Sequence, residues 1–232
     1  MRESTRHPVR QALRNHGLTL AFSAMLLVAL VTQALTGQAL YNQEAAQSGL
    51  PGMALGQYVT SSHFTVDVAE NWQSEYLQFL LYILLTVWLL QKGSPESKPL
   101  DKAGRESDEE QKVAQFSQPD SPAWARVRGW RLTLYSRSLG LTMGAIFALS
   151  WTAQLVAGRS AYNSEQLQAL EDPVGWGQYA LSPDFWNRTV QNWQSEFLAV
   201  GSMVVLSIYL RERGSPESKP VGEPHSSTGV EG

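Results

Sequence analysis

The run LTLAFSAMLLVALVTQAL, residues 18–35, decides the fold of this chain. It lies within a stretch, residues 17–43, that has no charged side chain. Eighteen helical residues rise about 27 Å, close to the hydrocarbon thickness of a bilayer. The nine large aliphatic or Phe residues in it sum to roughly −4 kcal/mol on the insertion scale, which outweighs Gln33 near the end. The run therefore predicts a membrane-spanning helix.

Three further runs extend the pattern. Residues 138–158 are also free of charge, and two shorter runs cover residues 76–91 and 197–210. Taken alone, the short runs would also suit buried helices of a soluble bundle. Each, however, is preceded by an interfacial anchor, Trp72 or Trp193, and closed by basic residues, Lys92 or Arg211 with Arg213. Aromatic belts and snorkelling cations are what a spanning helix needs at its two interfaces. Arg2, Arg6, Arg10 and Arg14 before the first run, with small residues near Gly37, also resemble a signal peptide. The same kind of segment recurs in mid-chain, so an uncleaved span is expected.

Composition narrows the function classes. The 18 basic and 21 acidic residues give a net charge of −3, with no basic footprint for nucleic acid. The absence of cysteine excludes disulfides, thiolate metal sites and Cys nucleophiles.

The sequence repeats itself without a gap. Tyr41-Asn42 matches Tyr162-Asn163, Gly56-Gln57-Tyr58 matches Gly177-Gln178-Tyr179, NWQSE at 71–75 returns at 192–196, and GSPESKP at 93–99 returns at 214–220. Every pair is 121 residues apart, and a constant offset over roughly eighty positions indicates duplication. The expected fold is an all-α membrane protein with four transmembrane helices. These form two parallel-oriented helical-hairpin repeats with pseudo-twofold symmetry about the membrane normal. The expected layout is a cytoplasmic N-terminal tail (1–16), repeat 1 (17–99, spans 18–36 and 72–91), a cytoplasmic linker (100–137), repeat 2 (138–220, spans 138–157 and 193–211) and a disordered tail (221–232). Residues 92–137 hold nine Lys and Arg, whereas the loop at 37–72 holds none and that at 158–193 only Arg159 and Arg188. By the positive-inside rule both termini are cytoplasmic.

Several motifs invite a function. Glu75 and Glu196 stand at the outer lips of the second and fourth spans. Length arithmetic places Gln33 and Gln154 at a similar depth, giving a candidate outer polar layer of Gln33, Glu75, Gln154 and Glu196. The carboxylates read as wetted helix-start acids, as an interhelical clamp held by the amides, or as a proton or ligand site. Tyr41, Asn42 and Glu44, with Tyr162, Asn163 and Glu165, form a candidate outer surface motif beyond Gly37 and Gly158, which are expected to end their helices. Ser61 and Ser182 are expected to cap short amphipathic pieces carrying Phe64, Phe185 and Trp186. GSPESKP reads as a stop followed by an N-capped restart, or as a docking motif for a cytoplasmic partner. "WARVRGWRLTLY" (124–135) reads as a surface-lying lead-in to the third span. The four His residues are scattered, and no nucleophile elbow or phosphate loop is present, so no catalytic, cofactor-binding or metal residues are assigned.

With these residues assembled, the chain resembles an uncharacterised bacterial family of small integral-membrane proteins, a domain of unknown function. The resemblance runs through the first span, Tyr41-Asn42 with Glu44, NWQSEYL (71–77), residues 92–99, and the second set from Tyr162 to Pro220. The family's FW after the Ser appears as Phe185-Trp186, but as Phe64-Thr65 in the first half. The resemblance implies a bacterial inner-membrane location and no assigned activity. The expected function is a non-enzymatic structural or partner-binding membrane component, in contact with the lipid bilayer and with a homo-oligomeric or membrane protein partner. The alternative is a small oligomeric channel or transporter that uses the outer carboxylate pair.

Overall fold

A computed structural model describes residues 8–230, so Arg2, Arg6 and the last two residues of the tail lie outside it. Among the described residues the regular structure is helical, without strands. The elements are α1 (Pro8–Asn15), α2 (Gly17–Gln47), α3 (Leu55–Val59), α4 (Ser62–Leu85), α5 (Trp130–Ser136), α6 (Ser138–Gln168), α7 (Trp176–Ala180) and α8 (Pro183–Tyr209), with two 3-10 turns in the linker. The chain divides into two units, Met1–Thr65 and Val66–Gly232, with the boundary inside α4.

In the first unit α2 runs for 31 residues, about 46 Å. Leu18, Phe22, Leu27, Val28 and Val31 are all exposed, so no single face is reserved for a protein core. A helix that is apolar all round belongs in a large core or in lipid. Gly37 does not end it. A Cβ there would collide with the Tyr58 hydroxyl, so this glycine serves a close approach rather than a stop. The helix ends ten residues later. Gly49, at φ 71°, lets Leu50 N–H reach Ala45 O (2.8 Å) and its own N–H reach Ala46 O (3.2 Å), a Schellman closure.

In the second unit α6 also spans 31 residues, and Gly158 likewise lies inside it, under the Tyr179 hydroxyl. Its end reproduces the Schellman closure without a glycine. Leu170 takes φ 62°, with Glu171 N–H on Gln166 O (2.8 Å). The core is built on small residues: Val66 packs with Ala157 and Ala161, while Leu84 and Leu80 of α4 lie 3.6 and 3.7 Å from where side chains at Gly140 and Gly144 would begin. Small residues on facing helices let the backbones approach closely.

Ser61 and Ser182 do act as caps, accepting from Phe64 N–H (3.4 Å) and Phe185 N–H (3.2 Å). They open α4 and α8 as single long helices rather than separate short pieces. Helix α4 stops at Leu85, short of the expected 91. The expected restart at GSPESKP does not form. Gly93 (φ 87°) and Gly214 (φ 86°) open compact turns instead. The described residues after Pro220, 221–230, form turns. They wrap the Lys219 ammonium, which donates to the carbonyls of Gly93 (2.6 Å), Pro224 (3.2 Å), His225 (3.0 Å) and Ser227 (3.1 Å).

Two substitutions test this packing by thermal unfolding in a mild detergent. Leu170→Gly should stabilise by about 1 kcal/mol, because the exposed leucine gives up nothing but left-handed strain. Gly158→Ala should destabilise by about 1–3 kcal/mol, and its effect should shrink in a Tyr179→Phe background, where the colliding oxygen is gone.

Candidate functional site

Three polar assemblies lie within the second unit. At the start of α8, Arg188 meets three carboxylates: Asp184 one turn before it (3.3 Å), and Glu70 (3.2 Å) and Asp67 (3.7 Å) on α4. Tyr179 donates to the other Asp184 oxygen (3.0 Å). One cation among three acids leaves surplus negative charge in a half-buried place. Burial pushes the Glu70 carboxyl above its usual range, although Arg188 pulls it down. Burial works against the Arg188 charge, but Glu70 and Asp184 more than offset it and hold the guanidinium above its usual value. Burial, then Asp184, raises the Tyr179 hydroxyl.

Further along, two fully buried glutamines join the helices. Gln73 Oε1 accepts from Trp193 Nε1 (2.8 Å), and Gln154 Nε2 donates to Thr189 Oγ1 (3.1 Å), tying α4 and α6 to α8. Trp151 stacks on Phe147 and Phe185 beside them, with ring centroids 5.5 and 6.2 Å away.

At the other end lie the GSPESKP turns. In each, the second serine accepts a backbone N–H six residues back: Ser97 from Gln91 (2.9 Å) and Ser218 from Glu212 (3.0 Å). The first serine accepts from the glutamate N–H, Ser94 from Glu96 (3.3 Å) and Ser215 from Glu217 (3.2 Å). Tyr82 donates to Glu96 Oε2. Two adjoining cavities, of ≈ 520 and ≈ 310 Å³, open here and share Gln78, Tyr82, Glu96 and Val200. The smaller is lined by Gln78, Phe79, Tyr82 and Glu96 and by the residues 121 positions further on, Ala199, Val200, Met203 and Glu217. The Oε1 atoms of Gln78 and Glu96 are buried and have no protein partner.

The chain belongs to the family described as Domain of unknown function (DUF6766). That family matches residues 9–230, nearly the whole chain. No curated protein and no solved structure matches it.

For this member of the family the predicted residues fall into different places. Gln33 is half-buried on α2. Gln154 is engaged with Thr189 rather than with a carboxylate. Glu75 is exposed, and Glu196 is half-buried within electrostatic reach of it. Asn42 and Asn163 are loop staples. The Asn42 amide takes Met53 N–H (2.6 Å) and gives to Met53 O (3.0 Å), and Asn163 does the same with Val174 (2.8 and 3.2 Å). Tyr41 packs on Tyr58 and His63, and Tyr162 on Tyr179. Glu44 and Glu165 are exposed on the last turns of their helices. Trp72 is exposed, and Trp193 turns inward to Gln73. Sequence reasoning placed Gln78 on one helix face with Asn71 and Glu75, but did not single out Gln73, Arg188, Glu96 or Glu217. The identity of the two GSPESKP stretches was the available signal for the last two.

Replacing Arg188 by Met should destabilise the protein at pH 7 by roughly 2–3 kcal/mol, since the acids lose their shared cation. A carboxyl whose folded pKa is raised favours the folded state once protonated. The deficit should therefore shrink between pH 7 and pH 5, as Glu70, freed of Arg188, takes up a proton. Tryptophan-monitored unfolding across that range checks this; a pH-independent deficit would count against it.

Proposed function

We propose that the chain is a multi-pass protein of the bacterial inner membrane with both termini in the cytoplasm. In this reading it has four spans in two parallel hairpins, related by a pseudo-twofold axis along the membrane normal. The observation that carries the reading is that α2 and α6 are both long and apolar enough to cross a bilayer, with their apolar side chains largely uncovered by protein. The recurrence of helix starts at Gly17 and Ser138, Leu55 and Trp176, and Ser62 and Pro183, always 121 apart, supports the hairpin repeat. The Lys and Arg asymmetry supports the orientation. In α4 and α8 the apolar stretch is shorter and comes after a polar start, so their crossing rests on exposed Trp72 and on the cationic flanks.

Within the membrane the protein acts as a non-enzymatic structural or partner-binding component. The polar motifs favour this reading, because Asn42, Asn163, Gln73 and Gln154 are engaged in hydrogen bonds within the protein. Its surroundings are lipid and a second membrane protein chain, either another copy or a different partner. The proximity of Glu196 to Glu75 favours one second reading, an outer cation or proton site in an oligomeric channel or transporter. Flux in liposomes that falls in an E75Q/E196Q variant would select it.

Single cysteines introduced at positions 47, 108, 168 and 226 of this cysteine-free chain test the topology. Positions 47 and 168 should label in intact cells, and 108 and 226 only after permeabilisation. Labelling of 47 from the cytoplasmic side would sink the orientation.

A further inference from the structure

The glutamates of the two GSPESKP turns line one cavity, and the buried side-chain atoms left without a partner there are acceptors. Tyr82 donates to Glu96, and each motif serine is engaged with backbone. The motif lysines are turned elsewhere, Lys98 to Gly104 O and Glu106, and Lys219 to its four carbonyls. The unmet capacity is that of acceptors, Glu96 Oε1 and Gln78 Oε1. The Glu96 oxygen is an acceptor whichever way the Gln78 amide is turned. Exposed Glu217 adds a second negative charge at the mouth. Most of the remaining wall is apolar, with Leu81, Leu85, Leu89 and Val204 in the larger cavity and Thr86, Gln91, Ser94 and Ser97 as its polar part.

We infer that this cavity binds a primary alkylammonium amphiphile. Its N–H donors meet Glu96 and Gln78, and its chain lies along the leucines. A buried acceptor without a donor is costly, and an ammonium satisfies it with charge-assisted bonds. An anionic head would meet two like charges, Glu96 and Glu217. A quaternary ammonium would match the charge but bring no N–H. A bare divalent ion would be left among apolar walls with too few oxygens. The combined volume lies within the roughly 300–1,000 Å³ typical of small-ligand pockets. The membrane reading enters only as the route by which an amphiphile arrives, because the site itself stands on the geometry.

The test is calorimetric titration of the purified full chain in maltoside micelles with dodecylamine, dodecyltrimethylammonium and dodecanol, against protein-free micelles. Dodecylamine should bind at least ten-fold more tightly than either analogue. Glu96→Gln with Glu217→Gln should weaken it about ten- to hundred-fold. Gly201 lines the larger cavity, and a Cβ there meets nothing within 4 Å, so Gly201→Leu should fill the space, keep the melting temperature and abolish binding. If dodecanol binds as tightly as dodecylamine, or the double variant binds unchanged while folded, the proposal is overturned. Because the titration needs no membrane orientation, a negative result here is separable from a wrong topology in the cysteine labelling.

Discussion

A side-chain amide holding both backbone groups of a residue eleven positions ahead is the interaction on which each helix–loop–helix depends. Asn163 does this to Val174, and Asn42 does it to Met53. The loop residue has no helix or strand to satisfy it, and an unpaired buried peptide group costs a few kcal/mol. The neighbouring side chain one turn earlier adds a second donor to the same carbonyl, Gln38 in one case and Arg159 in the other. With the loop fixed, the short helix after it delivers Tyr58 or Tyr179 onto a glycine of the long helix. The tyrosine then sets where the next helix begins. Tyr179 reaches Asp184 in the first turn of α8, and Asp184 in turn holds Arg188.

This chain of dependence explains which features were legible in the sequence. Long apolar runs report α2 and α6 directly, because hydrophobicity over thirty residues has one cheap solution. The caps at Ser61 and Ser182 were legible because a serine before an apolar start has a local use. Gly37 and Gly158 misled, since a glycine in a helix serves either to end it or to admit a neighbour, and only the tertiary structure decides. The true terminators are Gly49 and, unexpectedly, Leu170, a residue no propensity would place at positive φ. Its position is dictated by the Schellman bonds and by the loop that Asn163 holds, not by its own preference. Gln154 was placed by length arithmetic at the depth of Glu196, but depth does not fix azimuth. Thr189 faced it instead.

The ionic cluster and the glutamine pair answer one constraint at different depths. Near the helix starts, where water is close, charge is tolerated and Arg188 can serve three acids. A few residues further along, the polar contacts are neutral, Gln73 with Trp193 and Gln154 with Thr189. Neutral amides carry a smaller desolvation penalty than ions, which suits the fully buried Gln73 and Gln154, while the ionic cluster stays half-exposed.

The two GSPESKP turns separate the contacts set by local sequence from those set by context. Seven identical residues make the same internal bonds, serine to backbone and serine to serine-flanked glutamate, because those partners lie within the motif or just before it. The lysine has no partner inside the motif, so its fate depends on the residues C-terminal to it. After Lys98 comes an acidic linker, and the ammonium pairs with Glu106. Lys219 is succeeded by a short tail rich in turns, whose carbonyls close around it and draw in Gly93 of the other turn. The glutamates have no such freedom. Their backbone is fixed by the serines on either side, so both side chains are delivered to the same cavity wall whatever the flanks do. That rigidity makes Glu96 and Glu217 better candidates for binding than the lysines beside them.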